Sequence, residues 1–171
     1  GRIIRSKGVF DLLEAYAAYT SCVEAPRALV FVGDGDQQEL VELSRKFNLG
    51  DKVHALGFRS NVERYIAKAF CVVVPSVCAE AFGLIAGEAM SLGVPLIVSD
   101  SGALPELVGD TATIFSAGSV QSLADAMVFA HKNPTALSAN AKRAQRRAWT
   151  QFALDACADD YVTTFSRAFG E

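Results

Sequence analysis

Five short apolar runs recur along the chain: Ala28–Val32, Val53–Leu56, Cys71–Val74, Pro95–Val98 and a weaker one at Thr113–Phe115. Each is apolar at successive positions instead of alternating, which marks a strand buried on both faces of a parallel sheet. Stretches of helical period separate them. Val62, Tyr65, Ile66 and Ala69 fall at i, i+3, i+4 and i+7, with Ser60-x-x-Glu63 as a capping box. Leu40, Leu43 and Phe47 form a second stripe, and Val120, Leu123, Ala124, Met127 and Val128 a third. Strand and helix in alternation predict an α/β fold, a Rossmann-like three-layer α/β/α domain built on a parallel sheet. Turn residues fall between the elements, at Gly33-Asp34-Gly35, Asn48-Leu49-Gly50, Gly93, Ser101-Gly102 and Asn133-Pro134. Sheets of this kind bind ligands outside the carboxyl ends of their strands, so chemistry is expected at the strand-to-helix junctions.

Beyond Pro134 the strands stop and two helices follow. The terminal helix, over residues 150–169, carries Leu154, Cys157, Tyr161, Val162 and Phe165 on one face. That face can pack on this domain or reach across to a partner domain. At 171 residues the chain fits one domain. A net charge of −3 leaves no electrostatic footprint for nucleic acid. Cys22, Cys71, Cys78 and Cys157 form no Cys-x-x-Cys pair and only two histidines accompany them, so disulfide-framework and zinc spacings are absent. Reduced thiols in a cytoplasmic protein are expected. No apolar run approaches the ~18 residues of a membrane span. The chain opens on Gly1-Arg2, inside a motif and with no signal peptide, so a fragment is expected.

Three junction segments stand out. The first is Gly1-Arg2 through Lys7-Gly8, before an amphipathic stretch (Phe10, Leu13, Tyr16, Ala17); the second is Val32-Gly33-Asp34-Gly35; the third runs from Pro75-Ser76 to Met90. In the third, a helix starting near Phe82 would leave the N–H groups of Phe82, Gly83 and Leu84 without intrahelical partners, a ready anion site. Gly83 lets a phosphate approach the backbone closely. Glu80 precedes that helix, and Glu88 lies roughly 8 Å along it at ~1.5 Å per residue. Two acceptors flanking one anion site suit a ligand with hydroxyls at both ends and phosphate between. A nucleotide diphosphate sugar has that shape.

The ordered set Gly-Arg…Lys-Gly, Val-Gly-Asp-Gly, Pro-Ser-x-x-Glu-x-Phe-Gly, Glu80-x7-Glu88 and Gly-Val-Pro resembles glycosyltransferase family 4, the glycosyl transferases group 1, across about Gly1 to Val108. A looser echo runs over Trp149–Tyr161. The resemblance implies the C-terminal, donor-binding half of a GT-B enzyme. The first strand and the N-terminal acceptor domain of such an enzyme would lie outside this chain. It implies a UDP- or GDP-sugar as donor, hexose transfer with retention to a hydroxyl in glycan, polysaccharide or glycolipid synthesis, and no metal or other cofactor. Arg2 and Lys7 match the cations that hold the diphosphate, Glu80 the acid near the transferred sugar, and Glu88 the acid on the ribose. Backbone at Gly33, Phe82, Gly83 and Leu84 would contact the donor, with Phe58 and Arg59 edging the nucleobase. By itself the chain would bind donor with negligible transfer. Two departures stand out: Gly87, where the family carries a bulky apolar residue, and Ala103, where a second glycine is common.

Other readings compete at several positions. A nucleotide-sugar epimerase of the same architecture would need further proton-transfer groups, and a non-catalytic binding domain would not need the charged set. Asp34-Gly35-Asp36 reads as a turn instead of a metal motif. His54 and His131 lack ligand-spaced neighbours. Trp149 is expected to bury its ring and anchor the last helix. The run Lys142-Arg143…Arg146-Arg147 reads as a solvated face, with a weak contact to the inner membrane surface as the alternative.

Overall fold

The computed structural model describes residues 1–170. Strands β1 (Leu29–Phe31), β2 (Val53–Ala55), β3 (Val72–Val74), β4 (Leu96–Ser99) and β5 (Thr113–Phe115) lie within the runs expected to be strands, apart from Ser99. The helices between and after them are α1 (Val9–Cys22), α2 (Gln37–Lys46), α3 (Glu63–Lys68), α4 (Leu84–Ser91), α5 (Leu104–Val108), α6 (Val120–Lys132), α7 (Pro134–Gln151) and α8 (Leu154–Phe169).

Every strand pairing is parallel. β4 lies between β3 and β5, with Ile97 opposite Val73 and Thr113, and all four of its residues are buried. Its alternating side chains divide two cores, as strand geometry requires. Ile97 packs with Leu13 and Tyr16 of α1 and Leu123 of α6. Leu96 and Val98 pack with Ala89 and Met90 of α4, Leu107 of α5 and Ala144 of α7. This is the three-layer α/β/α arrangement.

The strands do not close into one hydrogen-bonded sheet. β1 pairs with β2, β3 leads a separate group with β4 and β5, and the facing edges of β1 and β3 do not bond to each other. Leu29–Val32 and Phe70–Val74 line a cavity of about 1160 Å³ between the two strands, which extends to Gly1, Lys7 and Glu80. Its inner wall comes from Leu12 and Tyr16 of α1, Ile66 of α3, and Met127 of α6.

Several local expectations change. The Ser60-x-x-Glu63 box does not form, because α3 starts at Glu63 itself and its first turn takes no side-chain cap. α4 begins at Leu84 instead of near Phe82, with Gly83 as N-cap. The terminal helix begins at Leu154, and α7 continues through Gln151. Trp149 is 62% exposed, so its ring anchors nothing within this domain. On α8, Leu154, Tyr161, Val162 and Phe165 are also exposed. Arg143 and Arg147 are not simply solvated. They donate to the carbonyls of Asp110, Glu106 and Leu107, holding the end of α5. Among the described residues no helix is long and apolar enough to cross a membrane.

Candidate functional site

Residues 1–8 pass over the carboxyl end of β1. The Gly1 amino group donates to Val32 O at 2.8 Å. Ile3 N–H donates to Asp34 O at 2.7 Å and Ile3 O accepts from Asp36 N–H at 2.8 Å, which extends β1 by one parallel bridge. Asp34-Gly35-Asp36 thus serves as backbone for residues 1–3, and Ile3, 2% exposed, anchors the segment in the core. A 3-10 turn, Arg5–Lys7, then leads into α1 through Gly8. Gly8 has φ +65, and a Cβ there would stand 1.8 Å from Pro75 O, so only glycine fits.

That close approach joins Lys7 to the loop after β3. Ser6 O accepts from Val77 N–H and Cys78 N–H at 3.0 and 3.1 Å. Lys7 Nζ then donates to Glu80 Oε1 at 2.6 Å, and Ser76 Oγ donates to the same oxygen at 2.5 Å. Burial pushes the Glu80 carboxyl upward, but the hydrogen bonds from Lys7 and Ser76 and the Lys7 charge outweigh it, holding the group below its ordinary value. From the other side, Ala103 N–H donates to Glu80 O at 2.8 Å. Gly102, at φ +59, lies so close that a Cβ would stand 2.3 Å from Glu80 O. Ala103 itself has φ −79, where alanine is unstrained, so a second glycine is unnecessary there.

The N-terminus of α4 faces the same space. Ala86 N–H and Gly87 N–H both donate to Gly83 O, at 2.9 and 3.1 Å. Leu84 N–H and Ile85 N–H have no acceptor among the described residues. Phe82 lies outside the helix, so the N–H groups that α4 itself leaves free include those of Leu84 and Ile85. The Phe82 ring meets Phe152 edge to face at 5.7 Å. It also rests on Gly87, where a Cβ would come within 3.3 Å of the ring. Gly87 is thus a packing glycine.

Arg2, Lys7, Glu80, Phe82, Gly83 and Leu84 all line the cavity that runs between β1 and β3. Glu88 lies one turn further along α4, exposed and outside that wall. Gly33, Phe58 and Arg59 do not line the cavity. Gly33 supports Gly1, whose carbonyl presses on its Cα side, and its N–H donates to Gly57 O at 2.9 Å. Phe58 is 65% exposed, and Arg59 Nη1 bonds to Phe58 O.

Ser76, Ser99 and Ser101 are not among the site residues that the sequence pattern picks out. Ser99 Oγ donates to Ser76 O at 2.7 Å, and Ser101 Oγ to Cys78 O at 2.8 Å. The one available signal was Ser76 inside Pro-Ser-x-x-Glu, since serines at strand ends otherwise read as ordinary turn residues.

Comparison with known proteins agrees with this architecture. The family description "Glycosyl transferases group 1" matches residues 1–148. N-acetyl-alpha-D-glucosaminyl L-malate synthase of Bacillus anthracis is 30% identical over 162 residues, covering 93% of this chain and 42% of that protein. The crystal structure of Anabaena Alr3699/HepE in complex with UDP-glucose superposes with a TM-score of 0.86 at 26% identity, over 98% of this chain and 47% of that one. The solved C-terminal domain of a glycosyl transferase group 1 family protein (LpcC) from Francisella tularensis gives 0.80 at 24% identity, over 90% of this chain and 84% of that one. The chain thus spans less than half the length of the first two relatives. Its fold is that of the C-terminal half of a GT-B glycosyltransferase, and with its family match spanning most of its length, this chain belongs to the glycosyl transferases group 1 family.

Proposed function

We propose that this chain binds the donor of a retaining hexosyltransferase that carries a sugar from a UDP- or GDP-sugar to a hydroxyl acceptor. The observation that carries it is the Lys7–Glu80 contact in the cavity that Arg2 and the free N–H end of α4 also line. A diphosphate there would accept hydrogen bonds from Leu84 N–H and Ile85 N–H. Lys7 and Arg2 would stabilise the negative charge that grows on the leaving phosphate as the glycosidic bond breaks. The cation pair thereby takes the part a metal ion plays in other sites. Glu80 accepts from a sugar hydroxyl, and Glu88 from the ribose. The likeness to HepE, solved with UDP-glucose, favours uridine as the base.

The acceptor is held by a second domain that closes over this one and excludes water. The coverage of less than half of HepE supports that arrangement. A strand parallel to β1 and β3 fills the slot between them and unites the sheet. The Ile3–Gly35 bridge, continued backward, points the chain before Gly1 along β1 into that slot.

Thermal shift with UDP, GDP and their hexose conjugates tests the reading. A ligand at ~100 times its Kd stabilises by about 2.7 kcal/mol. Uridine ligands should raise the melting temperature of this chain, and neither Lys7→Ala nor Glu88→Ala should respond as strongly. If no nucleotide diphosphate moves the transition, the donor site is wrong.

A further inference from the structure

We propose that Ser76 is a positioning residue that fixes which oxygen of Glu80 the sugar meets, a claim that rests on the donor reading above. Lys7 and Ser76 both donate to Oε1, at 2.6 and 2.5 Å. A carboxylate oxygen has about two lone-pair sites, so these two donors occupy Oε1. Oε2 is left as the acceptor for a ligand hydroxyl. Lys7 alone could not fix this choice, because an ammonium on a flexible stem follows whichever oxygen is offered. Ser76 can. It is 2% exposed, its side chain is short, and its own carbonyl is held by Ser99 Oγ at 2.7 Å from the fully buried β4.

The backbone of Glu80 is clamped as firmly. Ala103 N–H holds its carbonyl, Gly102 packs on its peptide, and Ser101 Oγ holds Cys78 O two residues earlier. The remaining freedom is rotation about the side chain, and the Ser76 hydroxyl is the fixed group that stops it. Removing that hydroxyl lets the carboxylate turn with Lys7. Recognition of the sugar then weakens while the diphosphate contacts stay in place. Sugar against bare nucleotide is therefore the discrimination Ser76 controls.

The test compares the unaltered chain with Ser76→Ala, Ser99→Ala and Glu80→Gln. Affinities for UDP-glucose and for UDP come from calorimetry, and the Glu80 carboxyl midpoint from carbon NMR of labelled glutamate. A hydrogen bond to a charged group sets the scale: Ser76→Ala should lose about 10-fold in UDP-glucose affinity and less than about 2-fold in UDP affinity. Its carboxyl midpoint should rise. Ser99→Ala, which frees the Ser76 carbonyl but leaves its hydroxyl in place, should shift the ratio and the midpoint in the same direction and by less. Equal losses for the two ligands, or an unmoved midpoint in Ser76→Ala, overturn the proposal. Should Glu80→Gln leave the UDP-glucose to UDP ratio unchanged, the sugar reading of Glu80 fails instead. The midpoint alone then decides whether Ser76 positions the carboxylate.

Discussion

Lys7 and Glu80, 73 residues apart in sequence, meet through a 2.6 Å contact between Nζ and Oε1. Each belongs to a different strand-end segment, and the backbone bonds from Val77 and Cys78 to Ser6 bring those segments together. The pair is partly shielded, with Glu80 at 17% and Lys7 at 34% side-chain exposure. On the proposed donor reading, a diphosphate at the α4 N-terminus would find its cation already placed.

Replacing Lys7 by alanine leaves Glu80 without its counter-charge beside the anion site. The lost bond from Lys7 to the phosphate would be worth ~1.5–3 kcal/mol, so nucleotide affinity should fall at least about 10-fold. Calorimetry with UDP measures the loss. Lys7→Arg should recover only part of it, because a planar fork does not reproduce the point contact.

The depressed Glu80 carboxyl makes stability depend on pH. A group titrating lower in the fold than in the unfolded chain contributes stability above the unfolded value of about 4.3, lost as pH falls through the folded value. The advantage of the native chain over Glu80→Gln should hold steady near neutrality and shrink in acid. Melting temperatures of both proteins between neutral pH and strong acid check it. A difference that grows on acidification would contradict the ion-pair account.

Gly102→Ala forces a Cβ to within 2.3 Å of Glu80 O at a φ of +59. Backbone strain of this kind costs on the order of 1–3 kcal/mol. In a domain this size each kcal/mol lowers the melting temperature by ~2–4 °C. The Glu80 loop is the part that must yield, so UDP-glucose binding should weaken together with stability. Ala103→Gly, at an unstrained position, should leave binding unchanged.

Arg147 donates through Nε and Nη2 to Leu107 O and Glu106 O, both at 2.9 Å. Hydrogen bonds from a charged donor contribute ~1.5–3 kcal/mol, and these are partly exposed, so Arg147→Ala should cost about 1–2 kcal/mol. Lysine should not restore it, since one ammonium cannot span both carbonyls in a fixed fork. Chemical denaturation of the three proteins gives the comparison.

Much of the fold was legible along the chain. The five apolar runs become strands, but only β4 is buried at every residue, since Val30, His54 and Ile114 at the centres of β1, β2 and β5 are exposed. The α2 and α6 stripes bury Leu40 and Leu123 as their spacing requires. The misreadings came from features whose meaning depends on neighbours. Ser60 has the capping pattern but the chain turns once more before α3, and Trp149 looks like an anchor but faces outward from α7. Gly87, a departure from the family pattern, finds its reason in the Phe82 ring packed on it.

Local pattern alone therefore determined the order of the strands and of every helix but α5, and the charged residues at the strand-to-helix junctions. Hydrophobic periodicity and turn chemistry are properties of neighbouring residues, so one sequence suffices to read them. What only the packed chain decided is which atoms meet. Glu80 Oε1 is shared by Lys7 and Ser76, Gly102 rests on the Glu80 peptide, and β1 and β3 face each other across a cavity. Those are contacts between segments far apart in sequence, set by how whole layers settle against one another, and no local pattern encodes them.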